Sequence, residues 1–320
     1  METTTYVPKT FLDAVRYFED PDVCLGLMAG LRWPNGAVTC PICGNTKAHF
    51  LANQRRWKCS GKHPRTQFSI KVGTIFEDSP IGLDKWLPVV WLLTNCKNGV
   101  SSYEIARDLG VTQKTAWFML QRVKLAMQRG SFWHKLEGEI EADESYIGGL
   151  ANMHKDKKAK ITGTGGSGKA IVMGILDRNT REIRVKHVPH VKRETLHTEI
   201  REHVAPGAEV FTDEWVAYQG LDREYVHNVI NHAEEYVRGN IHTNGIENFW
   251  SLLKRGLKGT YTSIEPFHLF RHLDEQAFRY NNRKTDDAGR FVRALSQTSG
   301  RRLTYRELTG REAAADKSLS

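Results

Sequence analysis

The chain has 320 residues, a formal net charge of +9, an isoelectric point near 9.3 and 40% hydrophobic residues. This length and apolar content suffice for two or three globular domains. The positive charge favours a polyanionic partner, although an ordinary basic protein has the same balance. The longest apolar run, residues 86–93, is far shorter than the roughly 20 residues of a membrane helix, and no secretory signal is visible. A cytoplasmic protein without membrane partners is therefore expected.

Residues 10–80 contain the ligand spacing of a zinc ribbon. Cys40 and Cys43 form a C-x2-C turn, and Cys59 and His63 follow after a spacer of 15 residues. Two such turns can hold one Zn²⁺ in a closed tetrahedral site that stabilises the fold. A lysine stands where a fourth cysteine is usual, so His63 is predicted to be the fourth ligand. The alternatives are a redox pair of Cys40 and Cys43, or a fourth ligand elsewhere.

Residues 81–132 are predicted to be a helical, DNA-binding segment. Within it, 101–113 has the pattern of a helix-turn-helix, with capped helices on either side of a turn at Gly110. Gln113 and Lys114 begin the second helix, where polar side chains of a recognition helix enter the major groove. An ordinary helical hairpin is the alternative.

Residues 136–300 change to an α/β pattern, and 301–320 form a C-terminal tail. Three strands, a helix, two further strands and a late helix follow in order. Asp143 lies on the first strand, Asp213 ends the fourth, and Glu247 lies on the late helix. This order predicts an RNase H-like mixed sheet flanked by helices, with the three acids as the catalytic residues of a nuclease.

The late helix is predicted over 243–258 because apolar residues recur there at helical spacing and form one stripe. Glu247 and Lys254 lie seven residues apart and share the opposite, polar face, because the helix repeats every 3.6 residues. The carboxylate can therefore bind a metal while Lys254, with Arg255 beside it, binds DNA phosphates.

Three clustered carboxylates predict a site for Mg²⁺ or Mn²⁺, because these hard ions prefer oxygen ligands. Two such ions can activate the attacking oxygen and stabilise the leaving oxygen of a phosphodiester. Each acid also has a structural interpretation. Asp143 lies in an acidic run typical of a solvated face, Asp213 can cap the following turn, and Glu247 can form a capping box with Asn244.

Together, these motifs resemble a known family. The chain is similar to bacterial insertion-sequence transposases with an ISXO-like DDE domain. The similarity is carried by the N-terminal zinc ribbon, the helical segment and the segments WKCSGKHPRTQFSIKVGTIFEDS, DESYIGG, TDEWVAY and HTNGIENFWSLLKRGLKGTY. The resemblance implies hydrolysis at the ends of the element and attack of the freed 3′ hydroxyl on target DNA. It matches the three acids to the DDE residues and Lys254 to the family's lysine. Some members have asparagine as third residue, which makes Asn248 and Asn244 further candidates.

The expected function is therefore that of a DNA transposase with structural Zn²⁺ and catalytic Mg²⁺ or Mn²⁺. Its partners would be double-stranded DNA and at least one further copy of the chain, since two DNA ends must be brought together, and it would be associated with the nucleoid. One alternative is a nuclease of the same fold that does not join strands. Another is a zinc-ribbon regulator with an inert acidic cluster.

Overall fold

The computed structural model describes residues 7–128, 134–148, 168–230, 243–261, 264 and 266–310. These residues form two compact units: one contains the residues up to Gln128 and those from Lys284 onward, and the other contains the residues between. Within the described ranges, no helix has both the length and the apolar character needed to cross a lipid bilayer.

The first unit begins with two helices and a small antiparallel sheet. The helices are α1 (Phe11–Phe18) and α2 (Pro21–Arg32), and the strands are β1 (Ala48–Leu51), β2 (Arg56–Cys59) and β3 (Gln67–Ser69). Trp57 on the central strand packs between Trp33 and Phe68, with ring centroids 5.2 and 6.0 Å away. Three short strands bury little surface, so this aromatic cluster supplies much of the local core.

Three helices follow, and the last two have the caps that the sequence indicates. They are α3 (Leu83–Asn95), α4 (Ser102–Leu109) and α5 (Gln113–Met127). Ser101 and Glu104 form a capping box on α4, Gly110 ends it at φ 63°, and Thr112 caps α5. The two helices and their turn are thus present, and their role in DNA binding remains a prediction.

The second unit is built on a five-stranded mixed sheet. In chain order the strands are β4 (Glu139–Ile147), β5 (Ala170–Asp177), β6 (Ile183–Val188), β7 (Glu209–Asp213) and β8 (Val226–Ile230). They lie side by side in the order β6-β5-β4-β7-β8, with β4 antiparallel to β5 and parallel to β7. The predicted α/β class and strand order along the chain are confirmed.

Helices cover both faces of this sheet. They are α6 (Arg193–His203), α7 (Asn244–Gly259) and α8 (Leu269–Asn281). Leu196 and Ile200 of α6 pack with Ile140 and Ala142 of β4 in one core cluster. The second cluster joins β5 to α7 and α8 through Val172, Leu176, Ile246, Phe249, Leu253 and Leu273. Because successive strand residues face opposite sides, β4 sends alternate side chains toward different helices.

The second unit ends where α8 is attached to the outer strand of the sheet. The side chain of Asn281 accepts the backbone N–H of Ile183 and donates to the same residue's carbonyl, at 2.8 and 2.9 Å. Since Asn281 satisfies both backbone groups of Ile183, the end of α8 is fixed against β6.

After Arg283 the chain returns to the first unit. Two helices, α9 (Asp287–Ser296) and α10 (Tyr305–Leu308), belong there. Phe291 of α9 is buried between Phe18 and Trp91, with ring centroids 5.3 and 5.2 Å away. The catalytic domain expected from sequence extends to residue 300, whereas the compact unit that contains the sheet ends at Arg283 because α9 buries its apolar face elsewhere.

Candidate active site and zinc site

The four predicted zinc ligands lie together in the first unit. The sulfur and nitrogen donors of Cys40, Cys43, Cys59 and His63 are all within 4.8 Å of one another. Cys40 Sγ is 3.6 Å from His63 Nε2, and Cys43 Sγ is 3.6 Å from Cys59 Sγ. Ligand bonds of about 2.0–2.3 Å in a tetrahedron put neighbouring donors about 3.5–3.8 Å apart. The cluster therefore fits a Zn²⁺ ion, and His63 takes the fourth corner.

Backbone N–H groups favour the thiolate forms that zinc requires. Burial raises the pKa of the Cys40 thiol, but the N–H groups of Cys43 and Ile42, together with the thiols of Cys43 and Cys59, leave the pKa below its ordinary value. The N–H of Gly61 also donates to Cys59 Sγ at 3.2 Å. Each turn therefore supplies metal ligands and also the backbone N–H groups that donate hydrogen bonds to their sulfur atoms.

Two of the predicted catalytic acids lie on adjacent parallel strands. Glu141 of β4 pairs with Phe211 of β7, and two residues further along each strand come Asp143 and Asp213. Neighbouring strands are about 4.8 Å apart, so these acids extend from the same edge and face of the sheet. Asp213 Oδ1 accepts the backbone N–H of Trp215 at 3.1 Å, so Asp213 also caps the turn after β7.

The third acid lies in the first turn of α7. Thr243 is the residue before the helix, and its hydroxyl donates to Glu247 Oε1 at 3.1 Å. The capping box with Asn244 is not formed, because Asn244 is already helical. The predicted apolar stripe is buried, while Glu247 and Lys254 are exposed on the other side. The amphipathic character predicted for this helix is confirmed.

Trp250 connects α7 directly to Asp143. Its indole Nε1 donates to Asp143 Oδ2 at 2.8 Å. The ring lies over Gly174, the residue of β5 that pairs with Asp143, and a Cβ built on this glycine would be 2.8 Å from the ring. A glycine is therefore needed for the helix to approach the sheet closely enough for this hydrogen bond.

The charges of Asp213 and Glu247 both act on Asp143. The pKa of Asp143 is raised to about 6, mainly because the carboxyl group is buried. The hydrogen bond from Trp250 and the N–H of Glu144 lower this pKa, whereas the charges of Asp213 and Glu247 raise it. The structure thus brings the acids into one electrostatic site. Among the described residues, however, the groups with all donor atoms within 4.8 Å are the zinc cluster and Glu199, Glu202 and His203, not these acids.

The Glu199 group is explained by ion pairing. The Lys186 ammonium lies 2.6 Å from Glu199 Oε1 and 3.5 Å from Glu202 Oε2, so a cation already balances the two carboxylates. This group therefore acts as a link between β6 and α6.

A buried ion pair anchors the start of α7. The Glu141 carboxylate is completely buried, accepts the backbone N–H of Ile246 at 2.8 Å, and pairs with Arg178 Nε at 2.9 Å. The Arg178 guanidinium also lies 3.6 Å from the centre of the Phe211 ring. A carboxylate at a helix N-terminus satisfies a free N–H and complements the helix dipole. Glu141 is thus a positioning residue for the helix that carries Glu247.

Glu144, another acid of β4, faces the opposite side of the sheet. The hydroxyl of buried Tyr218 donates to Glu144 Oε1. The pKa of Glu144 is raised to about 8, mainly by burial. The hydrogen bond from Tyr218 lowers this pKa, and the charges of Asp143 and Asp213 raise it further. The carboxyl group of Glu144 therefore stays protonated at pH values where a solvated glutamate is charged. In this neutral form it can remain half-buried.

Sequence reasoning missed the roles of Trp250, Glu141 and Glu144. The helical spacing places Trp250 in the apolar stripe of α7, and an indole N–H buried in a core needs an acceptor. For the acidic run of β4, the sequence indicates a role for Asp143 alone, with a solvated face as the alternative. Its period of two gave a signal, because Glu141 and Asp143 share one face while Glu144 lies on the other.

The predicted DNA-binding residues lie on both units. Lys254 and Arg255 are exposed on α7. Gln113 donates to the Ser102 hydroxyl at 2.9 Å, and the Lys114 ammonium lies 4.6 Å from the centre of the Tyr305 ring. The first two are exposed, whereas the second two have partners within the protein, and DNA binding by all four remains a prediction.

Comparison with protein families identifies both regions. A model of the ISXO2-like transposase domain matches residues 135–281, and a model of the transposase zinc-ribbon domain matches residues 19–61. The chain belongs to the ISXO2-like transposases. The transposase-domain match contains all three acids, and the zinc-ribbon match contains three of the four ligands and ends just before His63.

Two relatives are described as a transposable-element protein and a transposase-like protein. A protein in transposable element ISH50 of Halobacterium salinarum is 29% identical over 72% of the chain and 81% of its own length. A transposase-like protein of Haemophilus influenzae is 38% identical over 30% of the chain and 77% of its own length. A simian T-cell lymphotropic virus intasome structure aligns with 54% of this chain and 63% of that chain, at 12% identity and a TM-score of 0.28, too low to support a conclusion.

Removing one zinc ligand tests the metal cluster. We expect Cys40→Ser to lose bound zinc and to destabilise the first unit, because ligand binding and folding are coupled in such sites. Zinc content by mass spectrometry and thermal unfolding measure the two effects. Cys96→Ser is the matched control, since Cys96 lies outside the cluster and its change should leave the zinc content at one per chain. Full zinc content in Cys40→Ser would contradict the assignment.

A methyl group at residue 174 tests the close approach of α7. We expect Gly174→Ala to lower the free energy of unfolding by about 1–3 kcal/mol, because overpacking displaces Trp250. Gly259→Ala, at the end of the same helix, has no atom within 4 Å of the added carbon and should be neutral or slightly stabilising. Urea denaturation compares the two variants. Equal stabilities would show that the helix tolerates a larger residue beneath Trp250.

The raised pKa of Glu144 predicts a pH-dependent stability. The unfolded chain releases this proton near pH 4.5, whereas the folded chain holds it to about pH 8, so stability falls as pH rises between these values. We expect Glu144→Gln to gain at least about 1 kcal/mol over wild type between pH 5 and pH 8, since each tenfold difference in proton affinity is worth about 1.4 kcal/mol. Urea denaturation at both pH values, with exposed Glu214→Gln as control, measures this difference. Parallel pH profiles for wild type and Glu144→Gln would rule it out.

Proposed function

We propose that this chain is a DNA transposase that cuts DNA at the ends of its insertion element and joins the freed 3′ hydroxyl to target DNA. The observation that carries the proposal is the placement of Asp143, Asp213 and Glu247 on β4, β7 and α7 of the matched transposase domain, where the charges of the latter two act on Asp143. The mixed sheet, with one acid on β4, one on β7 and one on a later helix, supports an RNase H-like nuclease core.

The three side chains fit a divalent cation. Their oxygen donors suit hard ions, so Asp143, Asp213 and Glu247 would hold Mg²⁺ or Mn²⁺. Burial among like charges keeps the pKa of Asp143 at about 6, and a nearby cation offsets such repulsion. When bound, the cations would activate the attacking oxygen and stabilise the leaving oxygen.

The surrounding residues would hold these acids in place during the reaction. Trp250 orients Asp143, the Thr243 hydroxyl orients Glu247, and Glu141 anchors the first turn of α7. Lys254 and Arg255 would bind the phosphates of the cleaved strand, since α7 presents both to solvent. Asn244 and Asn248 are exposed near Glu247 and are candidates for an assisting contact.

The zinc ribbon and the α4–α5 segment would bind DNA outside the site of chemistry. Gln113 and Lys114 are the proposed contacts on α5, and reaching the DNA requires them to exchange their present partners. Synapsis of two DNA ends implies at least a dimer of this chain, working on nucleoid DNA in the cytoplasm.

The regulator alternative conflicts with the energetics of the acids. Asp143 and Glu144 both have raised pKa values, so their burial lowers stability at neutral pH. An inert cluster would have no reason to retain such groups, whereas catalytic sites often do. The nuclease alternative uses the same residues and differs only in whether strands are joined.

Substitution of the acids tests the proposal. We expect Asp143→Asn, Asp213→Asn and Glu247→Gln each to reduce Mg²⁺-dependent cleavage of the element's own ends by at least about 100-fold, because several kcal/mol of transition-state stabilisation is lost. DNA binding should remain. Cleavage mapped on sequencing gels and binding by fluorescence anisotropy measure the two properties.

Controls separate chemistry from folding and from binding. Glu214→Gln changes an exposed acid beside Asp213 and should leave cleavage intact. Lys254→Ala should weaken binding and reduce the salt dependence by about 0.9 in slope, as expected for one phosphate contact. Wild-type cleavage in the three acid variants would refute the proposed site. Pre-cleaved ends that never join target DNA would favour the nuclease.

A further inference from the structure

An exposed tryptophan lies beside the candidate active site. Trp215 follows Asp213 by two residues, and 50% of its surface is exposed. Its backbone N–H donates to Asp213 Oδ1 at 3.1 Å, and its indole Nε1 donates to the carbonyl of Val191 at 3.5 Å. One hydrogen bond therefore holds the backbone of Trp215 and another holds its indole, although the ring is half exposed.

These hydrogen bonds determine what the exposed part of Trp215 can bind. The indole has a single N–H donor, and Val191 already accepts it. The remaining exposed surface is the aromatic ring, which offers stacking rather than hydrogen bonding. A tryptophan left half in water gains nothing for folding from that exposed area.

The surrounding charges indicate how a ligand would approach. Lys192 and Arg193, which follow Val191 at the start of α6, are exposed cations suited to a phosphate backbone. Asp213 and Glu214 immediately precede Trp215 and would repel a phosphate placed directly on the ring. A ligand that places a neutral, planar group on Trp215 and its phosphates near Lys192 and Arg193 satisfies both conditions.

We propose that Trp215 is a stacking site for one unpaired nucleobase of DNA, whose backbone runs along Lys192 and Arg193. An aromatic side chain beside cations is the usual arrangement for binding single strands. The inference rests on the proposed function for its choice of DNA as ligand. It adds that the strand is locally opened next to the acids, so that a base leaves the duplex and fixes the position of the neighbouring phosphodiester.

Binding without added divalent cation tests this site separately from cleavage. The probes are a fluorescein-labelled oligothymidylate and a fully paired duplex, measured by anisotropy with the 320-residue chain. We expect Trp215→Ala to weaken binding of the single strand by about 5-fold to 150-fold, because stacking on one base is worth about 1–3 kcal/mol. Duplex binding should change less. Trp215→Phe should retain most of the affinity, since it keeps an aromatic face.

A matched variant and a direct readout control for indirect effects. Val216→Ala changes the next residue, which is 63% exposed but not aromatic, and should leave single-strand binding unchanged. A 2-aminopurine in the oligothymidylate should be quenched by wild type and much less by Trp215→Leu. Lys192→Ala should reduce the salt slope by about 0.7, as expected for one contact to a single strand.

Two outcomes distinguish this inference from the proposed function. If Trp215→Ala is folded by circular dichroism and binds the single strand as wild type does, the stacking site is refuted, whatever the chain cleaves. If stacking at Trp215 is observed but wild type never cuts DNA with Mg²⁺, the base site remains and the transposase chemistry fails.

Discussion

The close contact between α7 and the sheet is the constraint on which the candidate active site depends. Glu141 accepts the N–H of Ile246 at the start of the helix, and Trp250 donates to Asp143 one turn later. Gly174 leaves the space for the indole ring. These contacts set both the depth and the rotation of the helix, so they also set where Glu247 lies. Any shift of α7 that disturbed the packing of its apolar stripe would also move Glu247, because both lie on the same helix.

This arrangement lowers stability at neutral pH, which is common at catalytic sites. Asp143 is buried among other acids, and Glu144 keeps a proton that a solvated carboxyl would lose. Catalytic sites commonly hold such groups because their chemistry needs a geometry that folding alone would not select. The Glu141–Arg178 pair differs, since its charges are matched and hydrogen-bonded, so it serves as an anchor.

The zinc site differs from the candidate active site because its metal would stabilise the fold. Three short strands and one aromatic cluster bury little surface, and a bound metal can supply the missing folding energy. Its ligands come from two tight turns, so their spacing in sequence largely fixes their spacing in space. This locality explains why Cys40, Cys43, Cys59 and even His63 could be predicted, although the histidine replaces the expected cysteine.

The sequence by itself determined the α/β class, the stripe of α7 and the zinc cluster, because each depends on local periodicity or short spacing. It also predicted Asp143, Asp213 and Glu247 as catalytic acids, and that role remains a prediction. It could not show that Trp250 donates to Asp143 or that Glu144 faces Tyr218, since these pairs are 107 and 74 residues apart. It also did not show that α9 packs with α3, rather than with the sheet, through Phe291 and Trp91. Only the tertiary structure decided these contacts, because they depend on which apolar faces pack together. Periodicity shows which face of an element is apolar, but it does not show which other element that face contacts.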